Sequence, residues 1–437
     1  GDRAFCTVQT RARRVCVLMW VLTVAGKAIV MRKACSLFLI SGVLAACGAR
    51  VETSAPTSGL PTPVVLVGTS TPLPAGENPA TFTPTAEAAT PTAALPPTST
   101  PEGRLGPDNF PPNVNPLTGE LASDPSLLEH RPLAVKIVNQ PPCARPQFGL
   151  NQAALMFEHY VEAWGTRFTA IFYGNEAEKV GAVRSARLID LELPAIFDAV
   201  FVTSGSSGGV KQRLLESDFK ERLINAELEA PCPPLCRVPV EAVACADAEH
   251  TMFTTTRDLL KQAASMGLDQ RPPLSGWAFS AAPLVPGSSA ATLHVNYLNS
   301  PVDWFYEQES GLYLRSQNGT RQVDALTKMR LTAANVVVLF AHHLYSDIRE
   351  STNFYSLEIQ FWGQGRALVF RDGQAFEGSW LRPQRAGLFQ MVDAMGAPIP
   401  LKPGRTWFEF VALDSPIEIN NGEWTITATV LPQQTPP

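Results

Sequence analysis

A group of arginines lies close to short glycine and serine turns in the middle of the chain. Arg184 and Arg187 flank Ser185, and Arg145 and Arg167 precede them. A guanidinium can bind a carboxylate or a phosphate through two parallel hydrogen bonds, so converging arginines would form an anion site. The alternative is structural, because buried arginines usually pair with a carboxylate; the candidates are Glu158, Glu162, Asp190 and Glu192.

A glycine- and serine-rich turn, residues 204–209, follows the apolar pair Phe201-Val202 and precedes a predicted helix. Backbone N–H groups at a helix N-terminus can meet an anion, which makes Ser204 and Ser206 candidate contacts. The turn matches neither the P-loop nor the dinucleotide fingerprint, and most such turns only reverse the chain. The sequence therefore predicts one anion-accepting site, formed by Arg145, Arg184, Arg187 and this turn.

Catalysis by a nucleophile has little support in the sequence. Ser185 or Ser206 has no fixed spacing to His250 or His159 that would indicate a triad. Glu158 and Glu162 would share one face of a helix as an acid pair, if that segment is helical. We retain His250 and Glu158 as candidate ligand-binding residues and predict no catalytic residue, no cofactor and no metal.

Four cysteines lie in the part predicted to fold: Cys143, Cys232, Cys236 and Cys245. An exported chain meets an oxidising compartment, so we expect disulfides, and four cysteines permit three pairings. We expect Cys232 to pair with Cys236 or Cys245, and Cys143 to take the remaining partner. Two alternatives stay open: a zinc site of Cys232, Cys236, Cys245 and His250, and free thiols.

Large aromatic side chains in the C-terminal part allow two interpretations. Trp304, Trp362, Trp380 and Trp407 would form a stacking platform for a carbohydrate or a peptide if they share one exposed face. At strand positions they more often belong to the core.

Composition excludes several classes of function. Of 437 residues, 45% are hydrophobic and 17% are charged, which excludes a wholly disordered chain. From Cys47 onward there are 28 basic and 39 acidic residues. That acidic surplus excludes the clustered positive face that nucleic-acid binding requires.

The beginning of the chain indicates export. Residues 31–46 combine the basic head Met31-Arg32-Lys33 with a short apolar run, and Leu44-Ala45-Ala46-Cys47 ends it. This pattern resembles the lipobox of bacterial lipoproteins, which predicts lipidation at Cys47 and anchoring to the outer side of the cell membrane. Residues 1–30 do not match an export signal, and we interpret them as an upstream extension. The alternative is a transmembrane helix, although the apolar run 15–30 is shorter than a membrane span usually requires.

A tether follows the predicted lipidation site. Residues 51–112 contain 14 Pro and 12 Thr. Such a stretch cannot bury enough apolar surface to offset its ordering entropy, so we predict that residues 47–112 are disordered.

The remaining chain predicts two parts. Residues 113–285 combine short buried strands with helical segments at 188–197, 210–223 and 254–266. Residues 290–432 contain short strands and the hairpin turn Asp372-Gly373, which favours an antiparallel, β-rich part. The fold class is therefore predicted as α+β, a layered mixed α/β N-terminal part with a β-rich C-terminal part.

Several motif blocks occur in a recognisable order. In the first part they are Asn115-Pro116-Leu117-Thr118-Gly119, Arg131-Pro132-Leu133-Ala134-Val135, Ala144-Arg145-Pro146-Gln147 and Gly181-Ala182-Val183-Arg184-Ser185-Ala186-Arg187. In the second they include Arg315-Ser316-Gln317-Asn318-Gly319, Phe370-Arg371-Asp372-Gly373 and Pro403-Gly404-Arg405-Thr406-Trp407. Together they resemble the YerB-like family of bacterial lipoproteins, over roughly residues 113–413. The resemblance implies a two-part extracytoplasmic protein of layered α+β fold without an assigned reaction. This chain has Ala248-Glu249-His250-Thr251 where the family tends toward Ala-Pro-His-Asn.

These features favour a membrane-tethered, non-catalytic binding or scaffold protein of the bacterial envelope, with an envelope protein, a peptide or a wall fragment as its partner and no nucleic acid. Two other functions remain open. One is a cell-wall hydrolase or transferase using His250 or the Glu158/Glu162 pair. The other is a solute-binding lipoprotein for a small anion, which requires the arginines to converge on one cleft.

Overall fold

The computed structural model describes residues 103–228, 232–284, 286–350 and 354–432, and the backbone of three short strands near the start of the chain: Phe5–Cys6, Cys16–Val24 and Lys27–Ala34. Those three strands pair with one another as an antiparallel sheet. Cys47 and most of the predicted signal and tether lie outside the described residues. Among the helices in the described ranges, none is long and apolar enough to cross a membrane.

The strands of three or more residues from residue 103 onward carry the labels used below. Up to residue 300 they are β1 (Leu133–Val138), β2 (Leu155–Tyr160), β3 (Thr166–Phe172), β4 (Val200–Thr203), β5 (Leu223–Asn225), β6 (Met252–Thr254) and β7 (Thr292–Asn296). After residue 300 they are β8 (Val302–Glu307), β9 (Leu312–Gln317), β10 (Asn335–Arg349), β11 (Tyr355–Gln360), β12 (Gly363–Arg371), β13 (Gln374–Arg382), β14 (Gln390–Val392), β15 (Thr406–Ala412), β16 (Ile417–Asn420) and β17 (Glu423–Thr427). The α-helices are α1 (Leu193–Ile196), α2 (Gly208–Leu215) and α3 (Thr256–Ser265).

A twelve-stranded mixed sheet forms the centre of the molecule. Its order is β5-β4-β1-β3-β2-β15-β10-β12-β13 followed by Ser288–Ser289, with β11 paired to β10 and β14 to β13. Strand β15 lies between β2 and β10 and is parallel to both, with Glu409 opposite Glu158. Every residue of β1, β2, β3 and β15 is buried, as expected for strands covered on both faces. Strands from both predicted parts of the chain therefore belong to one sheet.

Two layers cover this central sheet. A second sheet, in the order Thr320–Arg321, β9, β8, β7, β17 and β16, packs with α3 against one face, and Trp304, Trp407 and Trp424 lie in the core between them. The other face carries the segment Leu188–Ile196, α2 and the aromatic residues Trp277 and Phe389. The described chain is thus layered and mixed, but richer in strand than the predicted α+β class suggests.

Two predicted helices are shorter in the structure. The segment 188–197 divides into the 3-10 helix Leu188–Leu191 and α1, because Pro194 has no backbone N–H to continue the first turn and instead occupies the start of the second. Helix α2 ends at Leu215 rather than continuing to 223. There the Ser217 hydroxyl donates to the Leu214 carbonyl at 2.7 Å, which offers the backbone an alternative to further helix.

Other elements form where the sequence predicts them. Helix α3 begins after Thr255, whose hydroxyl accepts a hydrogen bond from the backbone N–H of Asp258 at 3.0 Å. Asp372 and Gly373, with φ values of 53° and 68°, connect β12 to β13 as a tight hairpin.

The N-terminal boundary of the folded part lies earlier than predicted. Residues Arg104–Leu105, assigned to the tether from the sequence, form a two-stranded ladder with Phe279–Ser280. The Phe110 ring packs against the Phe279 ring with centroids 6.1 Å apart. Leu105 and Phe110 thus pack against the folded part. The predicted tether therefore overlaps the folded part at residues 103–112.

Candidate functional site

Two adjoining cavities meet at Arg145. This residue follows the 3-10 helix Pro142–Ala144 and is followed by Pro146, so prolines fix the backbone on both sides of it. Its terminal nitrogen donates to the Asn318 Oδ1 at 2.9 Å, whereas its Nε is buried and has no partner among the described residues. Burial lowers the pKa of Arg145, and the charge of Arg315 acts in the same direction, whereas Glu158 opposes it.

The first cavity, named here the disulfide cavity, has a volume of about 260 Å³. The Cys143–Cys245 disulfide lies in its wall, together with mainly apolar residues: Ala144, Phe148, Ala182, Val243 and Phe253. Polar side chains enter it from Arg145, Lys328 and His250.

His250 lies at the wall of the disulfide cavity, and only 5% of its surface is exposed. Neither ring nitrogen has a hydrogen-bond partner among the described residues. Burial lowers the pKa of His250, and the charge of Arg184 lowers it further, whereas the charges of Asp247 and Glu249 and the backbone of Gln140 raise it. The imidazole is therefore neutral near pH 7, with one nitrogen able to donate and one able to accept.

The second cavity, named here the hairpin cavity, has a volume of about 230 Å³. It lies between the loop around Arg145 and the hairpin that joins β9 to Thr320–Arg321 through the turn Asn318-Gly319. Gln317, at the end of β9, is 1% exposed, and neither its amide nitrogen nor its amide oxygen has a partner among the described residues.

Both cavities have a positive lining. Arg145 borders both, Lys328 borders the disulfide cavity and Arg321 borders the hairpin cavity. The described lining residues include no Asp or Glu. Serine is likewise absent from the described lining residues of both cavities.

A buried charge network contacts the lining of the hairpin cavity. Arg315 donates to the Glu158 Oε2 at 2.5 Å and to the Glu409 Oε1 at 3.1 Å, and all three side chains are fully buried. The Nε of Arg315 donates to the Gln322 Oε1 at 2.5 Å, and Gln322 borders the cavity. Glu158, a predicted ligand-binding residue, is thus engaged inside the protein rather than exposed to a ligand.

The predicted acid pair Glu158/Glu162 does not form, because its segment is the strand β2 and not a helix. Glu158 accepts hydrogen bonds from Asn139 at 3.0 Å and Thr166 at 2.7 Å in addition to Arg315. Glu162 lies in the 3-10 helix Glu162–Trp164 and binds Arg187. Strand geometry and a chain reversal therefore direct the two carboxylates to different partners.

A second polar cluster lies on the opposite face of the central sheet, since neighbouring residues of β2 point to opposite faces. There the Lys136 ammonium contacts the His159 Nε2 at 2.7 Å, the Thr169 hydroxyl at 3.0 Å and the Asp190 carboxylate at 2.8 Å. Burial lowers the pKa of Lys136 to about 8, although Asp190 opposes that effect. These side chains are buried and satisfy one another, which indicates a structural role.

The predicted arginine site is divided in the structure. Arg184 forms an ion pair with Glu249 at 2.5 Å, and Arg187 binds Glu162. The backbone carbonyl of Ser185 accepts a hydrogen bond from Arg167 at 2.7 Å. These residues are not among the described lining residues of either cavity, and Arg184 and Arg187 each pair with a different carboxylate instead of joining Arg145.

The glycine- and serine-rich turn lies beside Arg184 rather than beside Arg145. The Ser204 backbone N–H donates to the Arg184 carbonyl at 3.1 Å, and the Ser206 hydroxyl is buried without a partner among the described residues. Ser207 donates to Glu350 at 2.6 Å. The turn connects β4 to α2, and its backbone is hydrogen-bonded to the segment 184–186.

The four cysteines form two disulfides, Cys143–Cys245 and Cys232–Cys236. Their sulfurs are consequently not available to bind zinc beside His250. In the described ranges no group of three or more His, Cys, Asp or Glu is arranged to hold a metal ion.

Three of the four tryptophans proposed as a platform are core residues. Trp304, Trp380 and Trp407 are at most 1% exposed, whereas Trp362 is 48% exposed. A single exposed indole does not make a platform.

The structure adds lining residues that the sequence did not single out as a site: Gln317, Asn318, Arg321 and Lys328. The first two belong to the motif block Arg315-Ser316-Gln317-Asn318-Gly319, so the family resemblance held a signal for them. Nothing in that block connects it with Arg145, more than 170 residues earlier in the chain.

Comparisons with known proteins agree over most of the folded part. Residues 117–269 match the N-terminal domain, and residues 293–408 the C-terminal domain, of a family described as a protein of unknown function, DUF3048. YerB of Bacillus subtilis (strain 168), whose name describes it as a lipoprotein, is 28% identical over 315 residues, which cover 70% of this chain and 89% of YerB. The crystal structure of the YerB protein from Bacillus subtilis is similar with a TM-score of 0.57 and 29% identity, over 68% of this chain and 96% of that chain. With both domain models matched in order, the chain belongs to the YerB-like family of DUF3048 proteins.

Proposed function

We propose that this protein is a lipid-anchored, non-catalytic binding module of the bacterial envelope. Cys47 carries the anchor, the Pro/Thr-rich residues after it separate the folded part from the membrane, and the paired cavities at Arg145 hold the ligand. The lipobox Leu44-Ala45-Ala46-Cys47 and the lipoprotein description of YerB support the anchor.

The observation that carries the binding role is the pair of unpartnered polar side chains in the cavities. His250 and Gln317 are both more than nine-tenths buried, and both lack hydrogen-bond partners among the described residues. Leaving a buried polar group unsatisfied costs about 1–3 kcal/mol, so native proteins retain few such groups. A bound molecule that supplies donors and acceptors would offset that cost.

The size of the two cavities fits the same role. Each has a volume below the range of about 300–1,000 Å³ that small-molecule sites usually occupy, but the two share Arg145 and Pro146 and together fall within it. An apolar wall next to a few convergent polar groups is the usual composition of a ligand site.

The anchor is tested by replacing Cys47. Cells expressing the Cys47→Ser variant and supplied with labelled palmitate should yield unlabelled protein that leaves the membrane fraction. Cys35→Ser, a matched change within the same leader, should keep the label. Labelling of the Cys47→Ser variant at the normal level would refute lipidation at this residue.

The binding site is tested by filling the disulfide cavity from its rim. Saturation-transfer NMR with benzoate, benzamide and benzylamine shows whether small aromatic molecules bind. Ala244 is exposed and borders the cavity, so Ala244→Trp should abolish the transfer signals. Ala248→Trp, which changes an exposed alanine outside the lining, should leave them intact. Equal signals in wild type and Ala244→Trp would place the binding elsewhere and overturn the assignment of this cavity.

A further inference from the structure

We infer that the ligand is the carboxy-terminal residue of a peptide, with its carboxylate at Arg145 and Gln317 and its side chain in the disulfide cavity. This inference rests on the proposed function, since it names the chemistry of the molecule that the same cavities bind.

The charge of the lining selects an anion. Arg145 stands where the two cavities meet, with one cation further along each of them, Lys328 and Arg321, and no described acidic residue offsets these charges in the lining. One terminal nitrogen of Arg145 is engaged by Asn318, and its other nitrogens have no acceptor among the described residues. A guanidinium with unused N–H groups at the junction of two cavities is suited to a carboxylate.

A singly charged group fits this position better than a phosphate. Arg145 is the cation common to both cavities, and lining residues such as Ala144, Pro146 and Gln317 are neutral or apolar. A buried charge needs a compensating partner, and a dianion would need a second cation beside Arg145. One guanidinium balances one carboxylate.

Gln317 indicates that an amide accompanies the carboxylate. Its side chain offers an N–H donor and a carbonyl acceptor, and both are without partners. A carboxylate only accepts hydrogen bonds, so it can satisfy the amide nitrogen but not the amide oxygen. The N–H of the terminal peptide bond would satisfy the oxygen. His250, with one donor and one acceptor, would in the same way bind backbone groups further along a peptide.

The disulfide cavity then receives the terminal side chain. Its wall is formed by Phe148, Phe253, Ala182, Val243 and the Cys143–Cys245 bridge. The Phe148 and Phe253 rings contact each other edge to face with centroids 5.7 Å apart, which makes that wall a firm apolar surface. A bulky apolar or aromatic terminal residue fits this lining.

The experiment compares aromatic compounds that carry a carboxylate, a neutral amide, neither group or a phosphate. Calorimetric titrations of the folded chain use N-acetyl-L-phenylalanine, N-acetyl-L-phenylalaninamide, N-acetylphenethylamine and phenyl phosphate. The free acid should bind at least about tenfold more tightly than the amide, since charge-assisted hydrogen bonds are the stronger ones. N-acetyl-D-phenylalanine separates two sources of such a group: a preference for the L form indicates protein carboxy termini, and a preference for the D form indicates cell-wall peptides.

Two variants locate the interaction. Arg145→Gln should reduce the affinity for the acid to that for the amide and leave the amide unchanged. Arg366→Gln, which replaces an exposed arginine paired with Glu377 outside the cavities, should leave both affinities at wild-type values. Thermal melting of each variant verifies that the fold is retained.

The possible results separate this inference from the proposed function. Equal affinity for acid and amide, both lost in Ala244→Trp, would retain the binding site but overturn carboxylate recognition. If phenyl phosphate binds more tightly than the free acid, the recognised group is a phosphate, and carboxylate recognition is overturned. Binding of none of the compounds would overturn both proposals.

Discussion

Glu158 and Glu409 share the guanidinium of Arg315 at the interface between the two large sheets. Burial raises the pKa of Glu409 well above its ordinary value, and the charge of Glu158 raises it further. The raised pKa favours the protonated form of Glu409, and a protonated Glu409 would leave one anion for one cation. The Tyr297 hydroxyl can donate to either of two acceptors, the Phe410 carbonyl at 2.9 Å and the Glu409 Oε2 at 3.2 Å.

This protonation state predicts unequal effects of two substitutions. Glu409→Gln preserves the shape and one donor of a neutral acid, so the free energy of unfolding should change by less than about 1 kcal/mol. Arg315→Met leaves the Glu158 carboxylate buried without its cation and should cost about 3–5 kcal/mol. Urea denaturation at pH 7 measures both. Equal losses for the two variants would show that Glu409 is ionised.

His343 predicts a dependence of stability on pH. It is 4% exposed, its Nδ1–H donates to the Ala341 carbonyl at 2.9 Å, and burial lowers its pKa from 6.5 to about 4. Because the folded pKa lies below the unfolded one, the neutral ring stabilises the fold fully above about pH 6.5. That contribution, about 3 kcal/mol, is lost as the pH falls through about 4.

The measurement is urea denaturation of wild type and His343→Leu at intervals from pH 7 to pH 4. The wild type should lose more stability than the variant over this range. His342→Gln, a change at the exposed neighbour that contacts Gln360, should keep most of the wild-type slope, because burial is the main cause of the lowered pKa of His343 and the charge of His342 is a smaller one. Parallel curves for wild type and His343→Leu would contradict the prediction.

At the scale of elements, the Cys143–Cys245 bridge connects the loop before Arg145 with the segment that leads to His250. It joins residues 102 positions apart, whereas Cys232–Cys236 joins residues 4 apart. The small sheet of Val180–Gly181, Cys236–Arg237 and β6 lies next to it. The bridge therefore holds two walls of the disulfide cavity together, and the shorter bridge closes only a local loop.

Removal of the two bridges should have different consequences. The chain-entropy model gives about 4.7 kcal/mol for a loop of roughly 100 residues and less for a short loop, and a large core reduces both values. The Cys143→Ser/Cys245→Ser variant should lose about 2 kcal/mol or more and become sensitive to proteases at residues 240–250. The Cys232→Ser/Cys236→Ser variant is the matched control and should lose less. A larger loss for the control would contradict this assignment of roles.

The elements also show which features the sequence determines locally. Asp372-Gly373 and Thr255 act through their own backbone conformation and hydrogen bonds, so the hairpin and the start of α3 could be predicted. The segment 155–160 is buried on both faces and has apolar side chains on each, so its period does not distinguish strand from helix. Arg145 and Gln317 come together only through the pairing of distant strands. Local sequence patterns therefore could not predict the candidate site. The arginine hypothesis grouped Arg145, which borders both cavities, with Arg184 and Arg187, which pair with acids.

On the scale of the whole molecule, β15 joins the two predicted parts. It lies between β2 and β10, and the second sheet covers the face of β1, β2 and β3 that carries Met156 and Phe168. A chain ending at residue 285 would lack β10, β15 and that covering sheet. It would expose an open edge at β2 and a large apolar face, which are aggregation hazards.

Separated fragments should therefore not fold independently. Residues 103–285 and 286–432, expressed separately, should each lack a cooperative unfolding transition by circular dichroism. Mixed from denaturant, they should recover one transition and elute together on size exclusion. A cooperative transition of residues 103–285 alone would establish an autonomous N-terminal domain.

The position of β15 also bears on the kinetics of folding. Arg405, just before this strand, donates to Asn151 at 2.9 Å across 254 residues of chain. Contacts between residues so far apart in sequence form only after long loops have closed, and loop closure costs entropy before the contacts stabilise the fold. Refolding from urea should therefore take seconds or longer rather than milliseconds. A chain that is synthesised or exported N-terminus first would hold β2 without its neighbour β15 until the last strands follow. During that interval the unpaired edge of β2 could pair with another chain, which a bound chaperone would prevent.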